Sequence, residues 1–223
     1  MLKGVIFMTI TIREPGSAIT HFIAMLMAVF ASAPLLIKAA LTSGASSFYA
    51  MAIFMLSMIL LYAASATYHS VNVPAKVLKI FRKLDHMMIF ILIAGTYTPV
   101  CLITLKGALG YSLLALVWGI AAAGILLKLF WITCPKWFSS ILYIAMGWAC
   151  VSVIDDLWVL LSTSAFLWLL AGGILYTVGG VIYALKLPIF NSKHRYFGSH
   201  EIFHLFVMAG SICHFIFMFG YVV

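Results

Sequence analysis

Apolar residues run through this chain in long stretches, not in the alternation of a half-buried strand or the narrow stripe of a surface helix. Seven stretches reach the roughly 20 residues, about 30 Å of helix, that cross a bilayer. They are placed at Ser17 to Leu41, Ser47 to His69, Leu84 to Leu105, Gly107 to Trp131, Trp137 to Ile154, Ala165 to Leu185 and Ser199 to Val223. The segment Asp155 to Ser164 reads either as an interfacial turn or as an extension of the fifth helix. Before the first span, Gly4 to Ile12 is too short to cross and is followed by Arg13-Glu14-Pro15, not by a small-residue cleavage site. Residues 1–16 are therefore expected to stay as a cytoplasmic or interfacial segment. The fold expected over residues 1–223 is one all-α polytopic membrane domain of seven helices.

Composition agrees: 65% of the 223 residues are apolar and 8% charged, against about 45 to 50% and about 25% in soluble domains. A net charge of +8 raises nucleic acid as a partner until the positions are read. The 13 Lys and Arg are scattered between apolar runs, so they serve as topology signals and the expected partners are membrane lipids. Eleven fall on the N-terminal side (Lys3, Arg13, Lys76, Lys79, Arg82, Lys83, Lys128, Lys136, Lys186, Lys193, Arg195) and two, Lys38 and Lys106, on the other. Cytoplasmic loops carry the basic excess, so the N-terminus is expected inside and the C-terminus outside. Pro15, Pro74, Pro135 and Pro188 fall at cytoplasmic helix boundaries; Pro34 and Pro99 lie within spans and are expected to kink them. Cys101, Cys134, Cys150 and Cys213 have no paired spacing and read as free thiols. In the sixth span, Gly173, Thr177, Gly180 and Ala184 form a small-residue stripe suited to close helix packing.

Ionisable side chains inside a span cost roughly 2.5 to 3.5 kcal/mol each on insertion scales, so they need partners or a purpose. Here they gather at one depth. Glu14, Ser17 and His21 open the first span, Ser65 and His69 close the second, Asp85 and His86 open the third, and Ser199, His200, Glu201 and His204 open the seventh. His200 and His204 are four apart, hence on one helical face. With His69 they make three imidazoles, which plus one open position is the composition of a catalytic zinc site.

Asp85 then suits the proton acceptor of an activated water, or alternatively a fourth ligand. Ser65, one turn from His69, suits a hydrogen bond to that water or to a substrate carbonyl, or simply a bond to the carbonyl four residues back. Glu14, Ser17 and His21 share a face of the first helix and read as a supporting shell, with helix capping as the other reading of Ser17. His86 points about 100° away from Asp85, and neither it, His194 nor His214 is expected to bind metal. Asp155 and Asp156 read as a solvated helix end.

In order along the chain, Arg13-Glu14-Pro15 with Ser17 and Thr20-His21, Ser65-Ala66-Thr67-Tyr68-His69, Leu84-Asp85-His86, Ala94-Gly95-Thr96-Tyr97-Thr98-Pro99 and Ser199-His200-Glu201-Ile202-Phe203-His204 resemble hemolysin III, the bacterial branch of the progestin and adipoQ receptor proteins. The resemblance covers nearly the whole chain. It implies a seven-helix fold in a bacterial cytoplasmic membrane, a cytoplasmic-side zinc held at His69, His200 and His204, and Asp85 nearby. It also implies kinship with alkaline ceramidases, hence hydrolysis of lipid amides or esters, and connects the chain with red-cell lysis and membrane lipid homeostasis.

Two rivals stand beside that reading. His200-Glu201-Ile202-Phe203-His204 matches the HExxH pattern of metalloproteases, in which Glu201 would be the general base and Ser65 idle. The other is a signalling or lytic protein in which zinc only staples helices together. The sequence leaves the oligomeric state open.

Overall fold

The computed structural model describes residues 11–185 and 196–223. Lys3, Lys186, Pro188, Lys193, His194, Arg195 and most of the run from Gly4 lie outside the described residues. Among the described residues every element is helical, and six helices are long and apolar enough to cross a membrane.

The first, α1, covers Pro15–Ser70. Straight, its 56 residues would extend about 84 Å, nearly three times the hydrocarbon thickness. It is not straight. Gly44 has φ 77° and ψ −173°, a region open to glycine because it carries no Cβ. Two arms, 15–43 and 45–70, meet there and fold back on each other. At their far ends the Glu14 N–H donates to the His69 carbonyl at 3.0 Å, and the His21 and Tyr62 rings sit 5.0 Å apart. The break falls in the gap left between the first two apolar stretches. Pro34 keeps helical angles within the first arm.

Helix α2 (Ala75–Pro99) widens at Pro99 into a π-helical turn, Val100–Leu105, where the missing proline N–H interrupts the regular ladder. Helix α3 is Gly107–Phe130 and α4 is Lys136–Gly147. The latter tightens through a 3₁₀ segment, Trp148–Val153, into α5, Ile154–Leu160. The ambiguous segment after Ile154 is thus largely an extension of the fifth helix. Asp155 and Asp156 occupy the first turn of α5, where the helix dipole favours negative charge. Helices α6 (Thr163–Leu185) and α7 (Ser199–Phe217, followed by a π-helical turn Met218–Val222) complete the bundle.

Helix α1 packs against α2 and α7, while α6 packs against α7 and α4. Gly95 of α2 faces Ser57 so closely that a Cβ there would collide with the serine side chain. Because the second arm of α1 and α2 run antiparallel, moving eight residues on from Ser57 and ten back from Gly95 brings Ser65 to the level of Asp85. The small residues of α6 divide their work differently from the single packing stripe expected. Gly172 and Gly179 abut His214 and Phe206 of α7, and Gly180 abuts Ile144 of α4, whereas Gly173 faces open space beside a cavity. The reason is that α6 has one face on α7 and another lining that cavity. Lys128, expected as a topology charge, is 1% exposed and turned into the bundle.

Candidate metal centre

The hairpin in α1 brings its two ends together, and the first turns of α7 pack against both. Three imidazoles meet there. His69, His200 and His204 each offer a ring nitrogen within 4.8 Å of the others. Their ring centroids are 5.0 Å apart for His69 and His200, 5.2 Å for His69 and His204, and 4.5 Å for His200 and His204.

Which nitrogen points inward follows from the hydrogen bonds. The Nδ1–H of His69 donates to the Glu14 carboxylate. His204 Nδ1 lies 3.1 Å from the Thr20 hydroxyl oxygen, whose own hydrogen goes to the Gly16 or Ser17 carbonyl at 3.0 Å. Thr20 therefore accepts from His204. Both rings are fixed in the tautomer that leaves Nε2 with a lone pair. His69 Nε2 faces His200 Nε2 at 3.3 Å. Two ligands about 2.0 to 2.1 Å from a tetrahedral ion are about 3.3 Å apart, so the three imidazoles fit a metal ion. Histidines oriented from behind by a carboxylate or hydroxyl are the usual support of such a centre.

The surrounding candidates are placed as follows. Glu14 is half-exposed, and its hydrogen bond to His69, opposed by partial burial and aided by Arg13, holds its carboxyl below the usual range. Arg13 also donates to the Tyr68 carbonyl at 2.8 Å and covers the Tyr68 ring, fixing the approach of the chain into α1. Ser17 donates to one oxygen of Glu201, and the Gly198 N–H donates to the other at 2.8 Å. Glu201 thus caps α7 and ties it to α1, and Ser17 is its partner; α1 itself has no side-chain cap. His21 is 4% exposed and stacks on His204, with centroids 3.6 Å apart and planes 9° apart.

Asp85 and Ser65 line the same cavity as the histidines. Asp85 has Ser65 and His86 as polar neighbours, with the His86 Nδ1 at 3.5 Å, and lies within electrostatic reach of His21, His69 and His200. His86 turns its ring toward the Arg82 carbonyl (2.9 Å) and the Tyr183 hydroxyl (3.3 Å) and is not one of the three converging imidazoles. His214 lies ten residues beyond His204 and is not among them. Thr20 is a supporting residue that the spacing of charged and histidine positions does not reveal. Its position beside His21 in the Thr20-His21 pair is the only signal in the sequence.

From this cluster a cavity of about 500 Å³ extends into the bundle. Below the histidines its walls are mainly apolar, among them Ile89, Leu92, Leu157, Phe166 and Leu169.

A family model described as haemolysin-III related matches residues 10–215. The chain belongs to the haemolysin-III-related family. It is similar to hemolysin-3 of Bacillus cereus, 42% identical over 199 residues covering 89% of this chain and 87% of that protein. A hemolysin-3 homolog of Bacillus subtilis (strain 168) is 40% identical over 202 residues, 90% of this chain and 91% of the other. A shorter match, 35% identical over 79 residues, covers 34% of this chain and 24% of an ADIPOR-like receptor of Saccharomyces cerevisiae. Family and spans together make this an integral membrane protein.

Proposed function

We propose that this haemolysin-III-type protein binds zinc at His69, His200 and His204 and hydrolyses an amide or ester bond of a membrane lipid. One observation carries the reading: His69, His200 and His204 each offer a ring nitrogen within 4.8 Å of the others, beside a long, mainly apolar cavity. A metal cation can be held by all three nitrogens at once, a shared proton by only two. Zinc is the natural occupant of an all-imidazole tetrahedral set with a free position, and the cavity has the polarity of an acyl chain.

Bound there, zinc supplies Lewis-acid polarisation of a carbonyl and a lowered pKa for water. The residues of the chain do the rest. Glu14 and Thr20 hold two of the imidazoles. Asp85 accepts the proton of the attacking water, and Ser65 donates a hydrogen bond to the substrate carbonyl oxygen as it gains charge. The apolar wall below keeps the acyl chain extended and bulk water out.

The protease reading is disfavoured because both oxygens of Glu201 are already engaged, by Ser17 and by Gly198. We also propose that both arms of α1 cross the bilayer, giving seven spans with a cytoplasmic N-terminus, an external C-terminus and the metal centre at the inner leaflet of a bacterial cytoplasmic membrane. The clustering of Lys76, Lys79, Arg82 and Lys83 at the start of α2, level with the histidines, supports that orientation.

The deciding measurement is fatty-acid release from ceramides and related lipids by purified protein in nanodiscs, with and without zinc. Wild type is expected to release fatty acid, and Asp85→Asn to keep its zinc while losing turnover by 100-fold or more. Release absent from every lipid tested would assign the zinc a structural role in a signalling or lytic protein.

A further inference from the structure

At the end of the cavity that holds the histidines, two cations join its lining. Arg82 comes from α2 and Lys136 from the start of α4. Both approach Tyr183 of α6, which also lines the cavity. The Lys136 ammonium lies 4.3 Å from the centre of the Tyr183 ring, and the Arg82 guanidinium is within electrostatic reach of its hydroxyl. The same ring is 6.0 Å from that of His200. Tyr183 thus connects both cations with an imidazole of the metal centre.

The carboxylates at this end have other partners. Glu14 pairs with His69 and Arg13, Glu201 accepts from Ser17 and the Gly198 N–H, and Asp85 has Ser65 and His86. Among the described residues, the Arg82 guanidinium has neither a hydrogen-bond acceptor nor an ion-pair partner. It carries five N–H donors in a planar fork. Lys76 and Lys79, on the preceding turns of α2, are exposed and take no part in the cavity, whereas Arg82 is half-buried in its wall. A charge brought into a mainly apolar chamber with its donors unused calls for an anion there.

The reach of a lipid says which anion. In a glycerophospholipid five bonds separate the ester carbonyl carbon from phosphorus, about 6 Å when extended, and the count is the same from the amide carbonyl of a phosphorylated sphingoid lipid. A carbonyl held at the histidines therefore carries its phosphate to Tyr183, within reach of both cations. The guanidinium fork matches two phosphate oxygens, and the ammonium serves as a point charge. A neutral lipid places only a hydroxyl there and leaves the charges unmatched. We infer that the cavity takes an acyl lipid whose headgroup carries a phosphate, held by Arg82 and Lys136 while the acyl ester or amide lies at the histidines. The inference names a substrate class for the proposed hydrolase and rests on the reading of the cavity as an acyl-lipid site.

Lipids with ether-linked chains cannot be hydrolysed, so they report binding without turnover. Full-length, zinc-loaded protein in dodecyl maltoside is titrated with the dihexadecyl ether of glycerol, with the phosphate ester of that ether, and with inorganic phosphate. The ether phosphate is expected to bind at least about tenfold more tightly than the neutral ether, the gain of charge-assisted hydrogen bonds, and inorganic phosphate about 100-fold more weakly than the ether phosphate because it lacks the chains. Arg82→Gln and Lys136→Gln are each expected to cut the preference for phosphate to about threefold or less, while Lys79→Gln keeps it at the wild-type value. Equal binding of the two ethers by wild type would overturn the inference and leave the acyl-lipid reading intact. Binding of neither would remove both. Inorganic phosphate binding as tightly as the ether phosphate would make this a site for a soluble anion and overturn the inference. So would a preference unchanged in Arg82→Gln, with the phosphate then held elsewhere, or one lowered as much by Lys79→Gln, which would reduce it to attraction by the basic surface. Should Arg82→Gln fail to fold, an unchanged preference in Lys136→Gln overturns the inference in the same way.

Discussion

Two buried polar clusters in this bundle differ in what they leave unpaired. At Lys128, the ammonium donates to the Ser139 hydroxyl and to the Cys134 sulfur at 3.1 Å, while Cys134 and Ser139 touch at 3.2 Å. The Tyr143 ring lies 5.8 Å from the same nitrogen. Donors meet acceptors, and two of the three ammonium hydrogens find protein partners. At the histidines, hydrogen bonds are spent on the outward nitrogens of His69 and His204, and three ring nitrogens converge on one point. Burial alone does not separate structure from site, since Lys128 and His204 are both 1% exposed. Convergence does, because three nitrogens meeting at one point can all be held at once by an added cation.

The largest effect that tests this contrast is metal content. His69→Ala and His204→Ala are each expected to bind less than a tenth of an equivalent of zinc by elemental analysis of purified protein, while Lys128→Met keeps a full equivalent. Loss of zinc from Lys128→Met would join the two clusters into one unit and end the contrast. A graded effect comes next, from Glu14→Gln. An amide oxygen still accepts from His69 Nδ1 but without charge, so the imidazole donates less strongly to the ion. Competition with a chelator of known affinity is expected to show zinc binding weakened by 10- to 100-fold, with all three ligands in place. An affinity unchanged from wild type would make the Glu14 contact a matter of chain packing alone.

Much of this is legible in the sequence, and the reason lies in the spacing of particular residues. Spanning length and the four-residue step from His200 to His204 are local properties, carried by helix geometry. The gap between Leu41 and Ser47 is local too and marks where α1 turns back, although it does not single out Gly44 as the residue that turns. The order of apolar runs, read as alternating spans, brings the ends that carry His69, Ser65 and Asp85 level with the start of α7 without knowledge of the packing. What depth cannot give is direction around each helix axis. Ser17 and Glu201 shared a level with the histidines, yet they pair with each other. Lys128 counted as a charge on one side of the membrane, although its helix turns it inward to Ser139. Arg82, Lys136 and Tyr183 belong to three different helices, and no spacing along the chain brings them together.

Lys128→Met sharpens the comparison a second way, through stability. Methionine has similar length, so the space stays filled, while Ser139 and Cys134 still bond each other and Ser139 reaches the Pro135 carbonyl. Replacing a buried ionic or polar group by an apolar one of similar shape is often close to neutral. Thermal unfolding in detergent is expected to move by no more than about 1 kcal/mol. A much larger loss would mean that the ammonium holds something beyond its two visible partners.

The smallest effect on turnover is expected from Glu201→Gln, and it separates the two chemistries that share this site. Glutamine keeps one carbonyl oxygen for the Gly198 N–H, so the cap on α7 survives. The other oxygen becomes an amino group, and Ser17 must reverse its role from donor to acceptor. That exchange trades a charge-assisted hydrogen bond for a neutral one, a cost of about 1 kcal/mol. The carboxylate takes part in no proton transfer under the lipid-hydrolase reading, so zinc content stays at one equivalent and fatty-acid release within about threefold of wild type. If Glu201 were the general base of an HExxH enzyme, the same change would remove the group that takes the proton from water, and turnover would fall by 100-fold or more. Measured beside Asp85→Asn in the same nanodisc assay, the pair gives opposite answers. A large loss in Glu201→Gln with activity retained in Asp85→Asn would move the base from α2 to α7.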